Sequence, residues 1–153
     1  MTSILSGEKI ASLTKGLISA KKQMSPCSID LTVRSISQIN LGGHLDFGGS
    51  EYKEASASPV IPEKRTPEEP YGWWNLGQGN YLIRFNEILK PPKSSLIMVF
   101  PHERIMAAGI FHPTIMVEKI DENLCVNVLV GPEGISIKEN ARVAKAVLLL
   151  EEI

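Results

Sequence analysis

Two side chains at a predicted helix start, His102 and Arg104, are suited to binding an anion. They belong to the segment PHERIMAAG, in which Pro101 stands at a plausible first helical position and Gly109 can end the helix. Guanidinium and imidazole groups donate hydrogen bonds to anions. Glu103 lies between them and would repel phosphate. The same residues also fit a solvated helix end, and the sequence leaves both interpretations open.

Metal and thiol chemistry have no comparable signal. The three histidines (His44, His102, His112) and the two cysteines (Cys27, Cys125) lack the close ligand pairs that zinc sites show. We therefore expect no protein zinc site. Both cysteines lie in apolar, strand-like contexts, which predicts buried free thiols.

Two adjacent tryptophans, Trp73 and Trp74, lie in a stretch rich in glycine and proline. Large aromatic side chains in such a stretch can stack on a base, seal a subunit contact or pack against the body of the protein. The sequence alone does not choose among these roles.

The composition indicates one globular domain over residues 1–153. A chain with 43% hydrophobic residues can bury a core, and its net charge of −1 comes from well-mixed basic and acidic residues. That balance argues against a nucleic acid as the main partner but allows a small anionic ligand. There is no targeting segment or bilayer-spanning apolar run, so we expect no membrane association and a cytoplasmic protein.

The elements that must position these residues are mostly strands. Ser6 can cap a first helix that Gly16 can end, and from Ser28 an alternating pattern predicts a strand with one buried face. Residues 41–79 have the glycines and prolines of a long irregular excursion. Further strands are predicted in YLIRF, SSLIMVF, IMVEKI, LCVNVLV and ISI.

The last segment, KENARVAKAVLLLEE, is ambiguous because its helix formers and its apolar spacing also suit a helix. We favour a strand, since the aliphatic run is short, follows a turn-like Lys-Glu-Asn and closes a chain that is already mostly β.

Four segments in order resemble the motifs of the dCTP deaminase and trimeric dUTPase family. SIDLTV is similar to the first motif, with Asp30 at its acidic position. ILKPPKSSLIMVF resembles the strand that enters the second motif, EKID resembles the third, and NARVAKAV resembles the fourth with Arg142 at its arginine position. Lys145 stands where glutamine is more usual. The resemblance covers most of the chain outside residues 41–79.

This resemblance implies a mainly β fold, a distorted β-barrel or jelly roll, with a short N-terminal helix and one short internal helix. It also implies a homotrimer with pyrimidine deoxynucleoside triphosphate sites between subunits. In the dUTPases an aspartate of the third motif positions water, and magnesium binds through the substrate phosphates; in the deaminases a glutamate acts as base without zinc.

Transferred to this chain, the resemblance makes Asp121 the candidate catalytic residue, with His102, Arg104 and Lys119 as substrate-binding residues. Asp121 also fits an ordinary turn aspartate between two strands. The strand LCVNVLV offers only Asn127 where the deaminase base is expected, and an amide cannot accept the proton.

Two functions remain open from the sequence. One is a dUTP diphosphatase or, less favoured, a dCTP deaminase. The other is a catalytically degenerate family member that serves as a trimeric nucleotide-binding, regulatory or protein-interaction module. The second motif of the family has a serine-rich helix start, where this chain has His102, Glu103 and Arg104. This replacement and the missing base favour the second function, whereas the order of the motifs favours the first.

Overall fold

The protein is a mainly β molecule, with 49% of residues in strands and 10% in helices. The structure is a computed structural model that describes residues 1–151. Its helices are α1 (Gly7–Ser12), α2 (Ala20–Gln23) and α3 (Glu103–Ala107). Its strands are β1 (Thr2–Ile4), β2 (Thr14–Lys15), β3 (Met24–Ser25), β4 (Ser28–Leu41), β5 (Ser56–Val60), β6 (Trp73–Leu76), β7 (Gly79–Phe85), β8 (Ile88–Leu89), β9 (Ser95–Pro101), β10 (Ile115–Val117), β11 (Cys125–Val130), β12 (Ile135–Lys138) and β13 (Arg142–Glu151).

One curled antiparallel sheet organises the molecule, in the order β10-β9-β13-β4-β7-β11. β1 extends it beside β13, and β3 and β5 pair with β4. The long strand β4 pairs first with β13 and then, from Val33 onward, with β7, with an irregularity in the second pairing between Val33 and Ser35. Two small sheets, β12-β6 and β2-β8, complete the fold. The strand predicted for the last segment is confirmed, and it lies inside the sheet between β9 and β4.

Both faces of β4 are buried near its start, which corrects the prediction of one buried face. Ile29, Leu31 and Val33 are completely buried, but Asp30 and Thr32 on the opposite face are only 4% and 2% exposed. The two-residue alternation in the sequence correctly separated apolar from polar residues, but it could not show that other elements cover the polar face.

A carboxylate from a distant segment satisfies part of that covered polar face. Glu87 is completely buried. It accepts hydrogen bonds from the Thr32 backbone N–H (2.7 Å), the Thr32 hydroxyl (2.6 Å) and the Gln23 amide (2.9 Å). These bonds tie α2 and the β7–β8 connection to β4, so Glu87 has a structural role at the back of the sheet.

Burial raises the pKa of Glu87, partly offset by the hydrogen bonds from Thr32 and Gln23. Between the ordinary pKa of 4.5 and the raised value, the folded state holds more protons at this site than the unfolded state does. We therefore expect the stability advantage of the native protein over Glu87→Gln to shrink as pH rises through this window. Urea unfolding of both proteins at several pH values from 4.5 upward measures it, with the exposed Glu118→Gln as control. A difference that stays constant with pH would contradict the prediction.

The stretch 41–79 is only partly irregular, unlike its prediction as one long excursion. β5 pairs with β4, and β6 pairs with β12. Trp74 and Leu76 of β6 are 2% and 4% exposed and belong to the core. The Trp74 indole N–H donates to the Val60 carbonyl at 2.8 Å, which fixes β6 to the end of β5.

Three smaller predictions also need correction. Helix α1 ends at Ser12 rather than near Gly16, and α2 was not predicted. The predicted strand IMVEKI is reduced to Ile115–Val117. Cys27 is exposed and Cys125 is half-buried, so the cysteines are not both buried, although both are free thiols.

Of the helices described between residues 1 and 151, none has the length and apolar character needed to cross a membrane.

Candidate functional site

His102 begins α3 and is itself buried. Its ring Nδ1 accepts a hydrogen bond from the Arg104 backbone N–H at 3.1 Å, so the side chain caps the helix. Its own backbone N–H donates to the Val143 carbonyl at 3.0 Å, which holds the helix start against β13. Because Nδ1 is an acceptor, the ring N–H of the neutral imidazole lies on Nε2.

Nε2 of His102 points to a buried carboxylate. It lies 3.5 Å from Oδ2 of Asp30, and the same oxygen lies 3.3 Å from Nη1 of Arg142. The side chain of Asp30 is 6% exposed and that of Arg142 is 32% exposed. Oδ1 of Asp30 is buried without a hydrogen-bond partner among the described residues. One residue from each of the first, second and fourth motifs (Asp30, His102 and Arg142) therefore contributes to a single cluster.

A second carboxylate and a second cation lie beside them. Oε2 of Glu103 is 3.1 Å from Nζ of Lys145 and 3.6 Å from Nδ1 of His102. The N–H of its own backbone and the Lys145 ammonium hold the pKa of Glu103 below its usual value. We call these residues the Asp30 cluster: Asp30, His102, Glu103, Arg142 and Lys145. Within it, each of the two strong cations is already paired with a carboxylate.

Arg104 differs from these paired cations. It is exposed on α3, and among residues 1–151 its guanidinium has no acidic partner. It lines the same cavity as Arg142. Arg104 is thus the cation next to the cluster that is available to an anionic ligand.

Lys119 and Asp121 form a separate pair. Nζ of Lys119 lies 3.6 Å from Oδ2 of Asp121. Oδ1 of Asp121 accepts hydrogen bonds from the backbone N–H groups of Asn123 (3.0 Å) and Leu124 (3.1 Å). The Asn123 N–H, followed by the Leu124 N–H and the Lys119 ammonium, lowers the pKa of Asp121. Asp121 is therefore a turn aspartate and, at the same time, an ionised carboxylate with one oxygen outside the turn.

The two groups lie at opposite ends of β9 within one chain. Lys119 lines a cavity together with Ser95, where β9 begins, whereas His102 follows Pro101, where β9 ends. Six residue-to-residue steps of about 3.3 Å along the strand separate these ends by roughly 20 Å. The structure therefore brings His102 and Arg104 together, and Lys119 and Asp121 together, but it does not join the two pairs in one subunit.

Comparison with known proteins gives distant relatives of one kind. The chain is 28% identical over 133 residues to a probable deoxyuridine 5'-triphosphate nucleotidohydrolase of Methanosarcina mazei, covering 86% of this chain and 74% of that protein. It is 27% identical over 135 residues to the protein of the same description from Methanosarcina barkeri, covering 86% and 75%. No family model matches the chain.

The fold points the same way. The crystal structure of 2'-deoxycytidine 5'-triphosphate deaminase from Agrobacterium tumefaciens superimposes with a TM-score of 0.62 over 98% of this chain, at 16% identity. The chain spans 47% of the length of that deaminase. The chain is therefore distantly homologous to probable dUTPases and shares its fold with a dCTP deaminase. The dUTPase-like fold predicted from the four motifs is confirmed.

Within this dUTPase-like fold, the strand that follows the third motif lacks a base. Asn127 is the exposed polar residue in the middle of β11, opposite Leu82 of β7. Among residues 1–151, β11 supplies no carboxylate, and an amide cannot take up a proton.

Sequence reasoning missed two parts of this site. Asp30 was recognised only as a motif residue, and Lys145 only as a departure from the motif. In the sheet they lie directly opposite each other on β4 and β13. The signal that would have joined them is strand register, which neither segment carries by itself.

Proposed function

We propose that this dUTPase-like protein works in deoxyribonucleotide metabolism in the cytoplasm, as one domain that binds a pyrimidine deoxynucleoside triphosphate between subunits of a homotrimer. The observation that carries the proposal is the separation along β9. Arg104 and His102 lie at one end and Lys119 and Asp121 at the other, so one subunit cannot assemble a site from all four. A neighbouring subunit can supply the missing half.

The phosphate-binding half belongs to the Asp30 cluster and its surroundings. Arg104 supplies a guanidinium with no acidic partner among residues 1–151, and Arg142 is partly exposed beside it. Guanidinium groups bind phosphate oxygens with two parallel hydrogen bonds. His102, whose ring is buried, caps the start of α3 and thereby fixes the position of the Arg104 backbone.

The neighbouring subunit would bring Lys119 and Asp121 to the phosphates. A carboxylate with a lowered pKa is a weak base but stays ionised, and it can orient a water molecule for attack on phosphorus. Lys119 would stabilise the negative charge that develops on the phosphate oxygens. Pyrophosphate release from dUTP is the reaction that these groups support.

A homotrimer is supported by an apolar outer face on the sheet. Directly opposed residues of antiparallel strands share a face, and Met98 of β9 lies opposite both Met116 and Val147. Met116 is 58% exposed. Half-buried residues of β9 and β13 that alternate with buried ones complete this face: Leu96, Phe100 and Leu149. Exposed apolar patches of this kind mark contacts with other chains.

Magnesium would enter with the nucleotide. Among residues 1–151 there is no group of three or more His, Cys, Asp or Glu side chains arranged to hold a metal ion. Mg²⁺ commonly keeps several waters and binds one or two carboxylates together with substrate phosphates. The residues therefore do not form a resident metal site, and the proposed role of Asp121 does not depend on one.

A second candidate function is nucleotide binding without turnover. It is favoured by Glu103, whose carboxylate lies at the start of α3 and pairs with Lys145 where phosphate would approach. The like charge of phosphate and carboxylate costs binding energy and reduces how closely the triphosphate can be held.

The test is incubation of the pure protein with dUTP, dCTP and dTTP, with and without magnesium, following pyrophosphate, ammonia and thermal stability. We expect pyrophosphate from dUTP, weaker nucleotide binding in Arg104→Ala, and native binding in the control Lys9→Ala, which removes an exposed cation on α1. Light scattering should give three times the 16.8 kDa chain mass. Nucleotide binding without product would favour the second candidate, and ammonia from dCTP would replace hydrolysis by deamination. Neither binding nor product with any nucleotide would overturn the proposal.

A further inference from the structure

A cavity of about 390 Å³ lies between α3 and the β6–β12 sheet. Its lining combines one aromatic side chain, three cations and an apolar floor. The lining consists of Trp73, Arg104, Ile105, Ala108, residues 135–138 and residues 140–143. We call it the Trp73 cavity. Its size falls within the usual range for small-molecule sites, which are mostly apolar with a few convergent polar groups.

Trp73 gives the cavity a flat aromatic wall. It is half-buried, and the Arg65 guanidinium lies 3.7 Å from the centre of its ring. Nζ of Lys138, the residue directly opposite on β12, lies 5.6 Å from the same point. The Arg65 guanidinium stacked on the ring fixes its orientation, and the ring surface that lines the cavity can stack on another flat ring.

The cavity wall is formed before any ligand binds. Gly72, next to Trp73, donates its N–H to the Glu139 carboxylate at 3.1 Å and accepts the Glu139 N–H at 3.0 Å. The Asn140 backbone N–H donates to the Val33 carbonyl at 3.0 Å, and its side chain accepts from Asn86 at 3.0 Å. The segment that carries Trp73 and the turn that carries Arg142 are therefore held to each other and to β4.

The cations are placed for an anionic group at the α3 side of the cavity. Arg104 has no acidic partner among residues 1–151, and Arg142 uses one terminal nitrogen, Nη1, for its contacts with Asp30 and the Lys22 carbonyl. The remaining N–H groups of the Arg142 fork can donate to a ligand. A flat wall on one side and two guanidinium groups on the other correspond to a ligand with a ring at one end and phosphates at the other.

We propose that the Trp73 cavity receives the nucleobase of a nucleotide within a single subunit, with the base stacked on Trp73 and the phosphates directed toward Arg104 and Arg142. The identity of the ligand rests on the proposed function; the position of its base does not. The stretch 41–79 then has a role in recognition, because it supplies Trp73 through β6.

Tryptophan fluorescence tests this placement directly. The chain has two tryptophans, and Trp74 is only 2% exposed, so quenching by a stacked base reports on Trp73. We expect dUTP to quench the native protein. In Trp73→Leu the quenching should disappear, and calorimetry should show dUTP binding weakened by between about fivefold and about 150-fold, which corresponds to one stacked base.

Inorganic tripolyphosphate provides the matched control ligand, because it has the charges without a ring. Trp73→Leu should bind tripolyphosphate as the native protein does, whereas Arg104→Ala should weaken both ligands. Ala108→Leu provides a second variant that fills the cavity from α3 without touching Trp73, and it should also weaken dUTP alone. Native dUTP affinity in both Trp73→Leu and Ala108→Leu would overturn the inference, as would an equal loss of tripolyphosphate affinity in both.

The outcome is separable from that of the proposed function. Trp73-dependent quenching by dUTP, in a protein that does not turn dUTP over, would support base binding in the Trp73 cavity and contradict the proposed hydrolase activity. Turnover of dUTP, with unaltered dUTP affinity in both cavity variants, would support the hydrolase activity and contradict base binding in the Trp73 cavity. Absence of quenching by dUTP, dCTP and dTTP would overturn the inference in either case.

Discussion

Replacing Asp121 by asparagine should abolish pyrophosphate release from dUTP, with kcat reduced by about 10²- to 10⁴-fold, the usual contribution of a group that handles the attacking water. Asparagine keeps the oxygen that accepts the Asn123 and Leu124 N–H groups, so the turn should survive. What it removes is the charged oxygen that faces Lys119. The measurement is kcat for pyrophosphate release, with thermal unfolding to confirm that the turn is intact.

Glu122→Gln is the matched control for this variant. Its side chain is exposed in the same turn, and the contact of Glu122 with Arg34 is made by its backbone carbonyl. The substitution removes one negative charge at the adjacent position without touching the proposed site, so kcat should be native. An unchanged rate in Asp121→Asn, or an equal loss in both variants, would remove Asp121 from the reaction.

Arg142→Ala should have the largest effect on stability, lowering the free energy of unfolding by about 3 kcal/mol, the lower end for a buried ion pair that loses one partner. The lower end applies because the Arg142 side chain is 32% exposed, whereas Asp30 is 6% exposed. Without Arg142 the buried carboxylate keeps only His102 nearby, and its Oδ1 already has no partner among the described residues. Urea unfolding at pH 7 gives the measurement.

Two further variants show whether the buried charge is the cause. Combining Arg142→Ala with Asp30→Asn removes both charges, so the double variant should be more stable than Arg142→Ala alone. Lys145→Ala breaks the pair with Glu103, which is 67% exposed, and should destabilise the protein much less than Arg142→Ala does. If the double variant loses the sum of the two single effects, Asp30 and Arg142 do not act as a pair.

The sequence was informative wherever local pattern determines structure. The aliphatic run after Arg142 predicted β13, the proline-to-glycine spacing in PHERIMAAG predicted α3, and both elements are confirmed. The first helical position predicted for Pro101 is wrong, because Pro101 ends β9 and α3 begins at Glu103. The four motifs in order predicted the fold, because order and spacing preserve topology even where individual side chains have changed. The same motifs placed Asp30 and Arg142 at their acidic and basic positions, and these two residues are in contact.

What the sequence could not show depends on pairing between distant segments. No local pattern distinguishes Glu87 in the sequence, yet it is the buried partner of Thr32 and Gln23. Strand register and strand order in the sheet determine three further features. These are the covered polar face of β4, the position of Lys145 opposite Asp30, and the distance of Lys119 from His102. A single strand carries neither, because its pattern repeats every two residues whatever lies beside it.

The interior position of β13 also has a consequence for biosynthesis. Of the strands described, β13 is the last to leave the ribosome, yet it pairs with β9, β4 and β1. Until it emerges, the hydrogen-bonding edges of β4 and β9 that it will occupy are unpaired, and the nascent chain has two half-sheets with no strand between them. Folding of the sheet must therefore wait until β13 has emerged, and the waiting chain presents two open edges to chaperones and to other nascent chains.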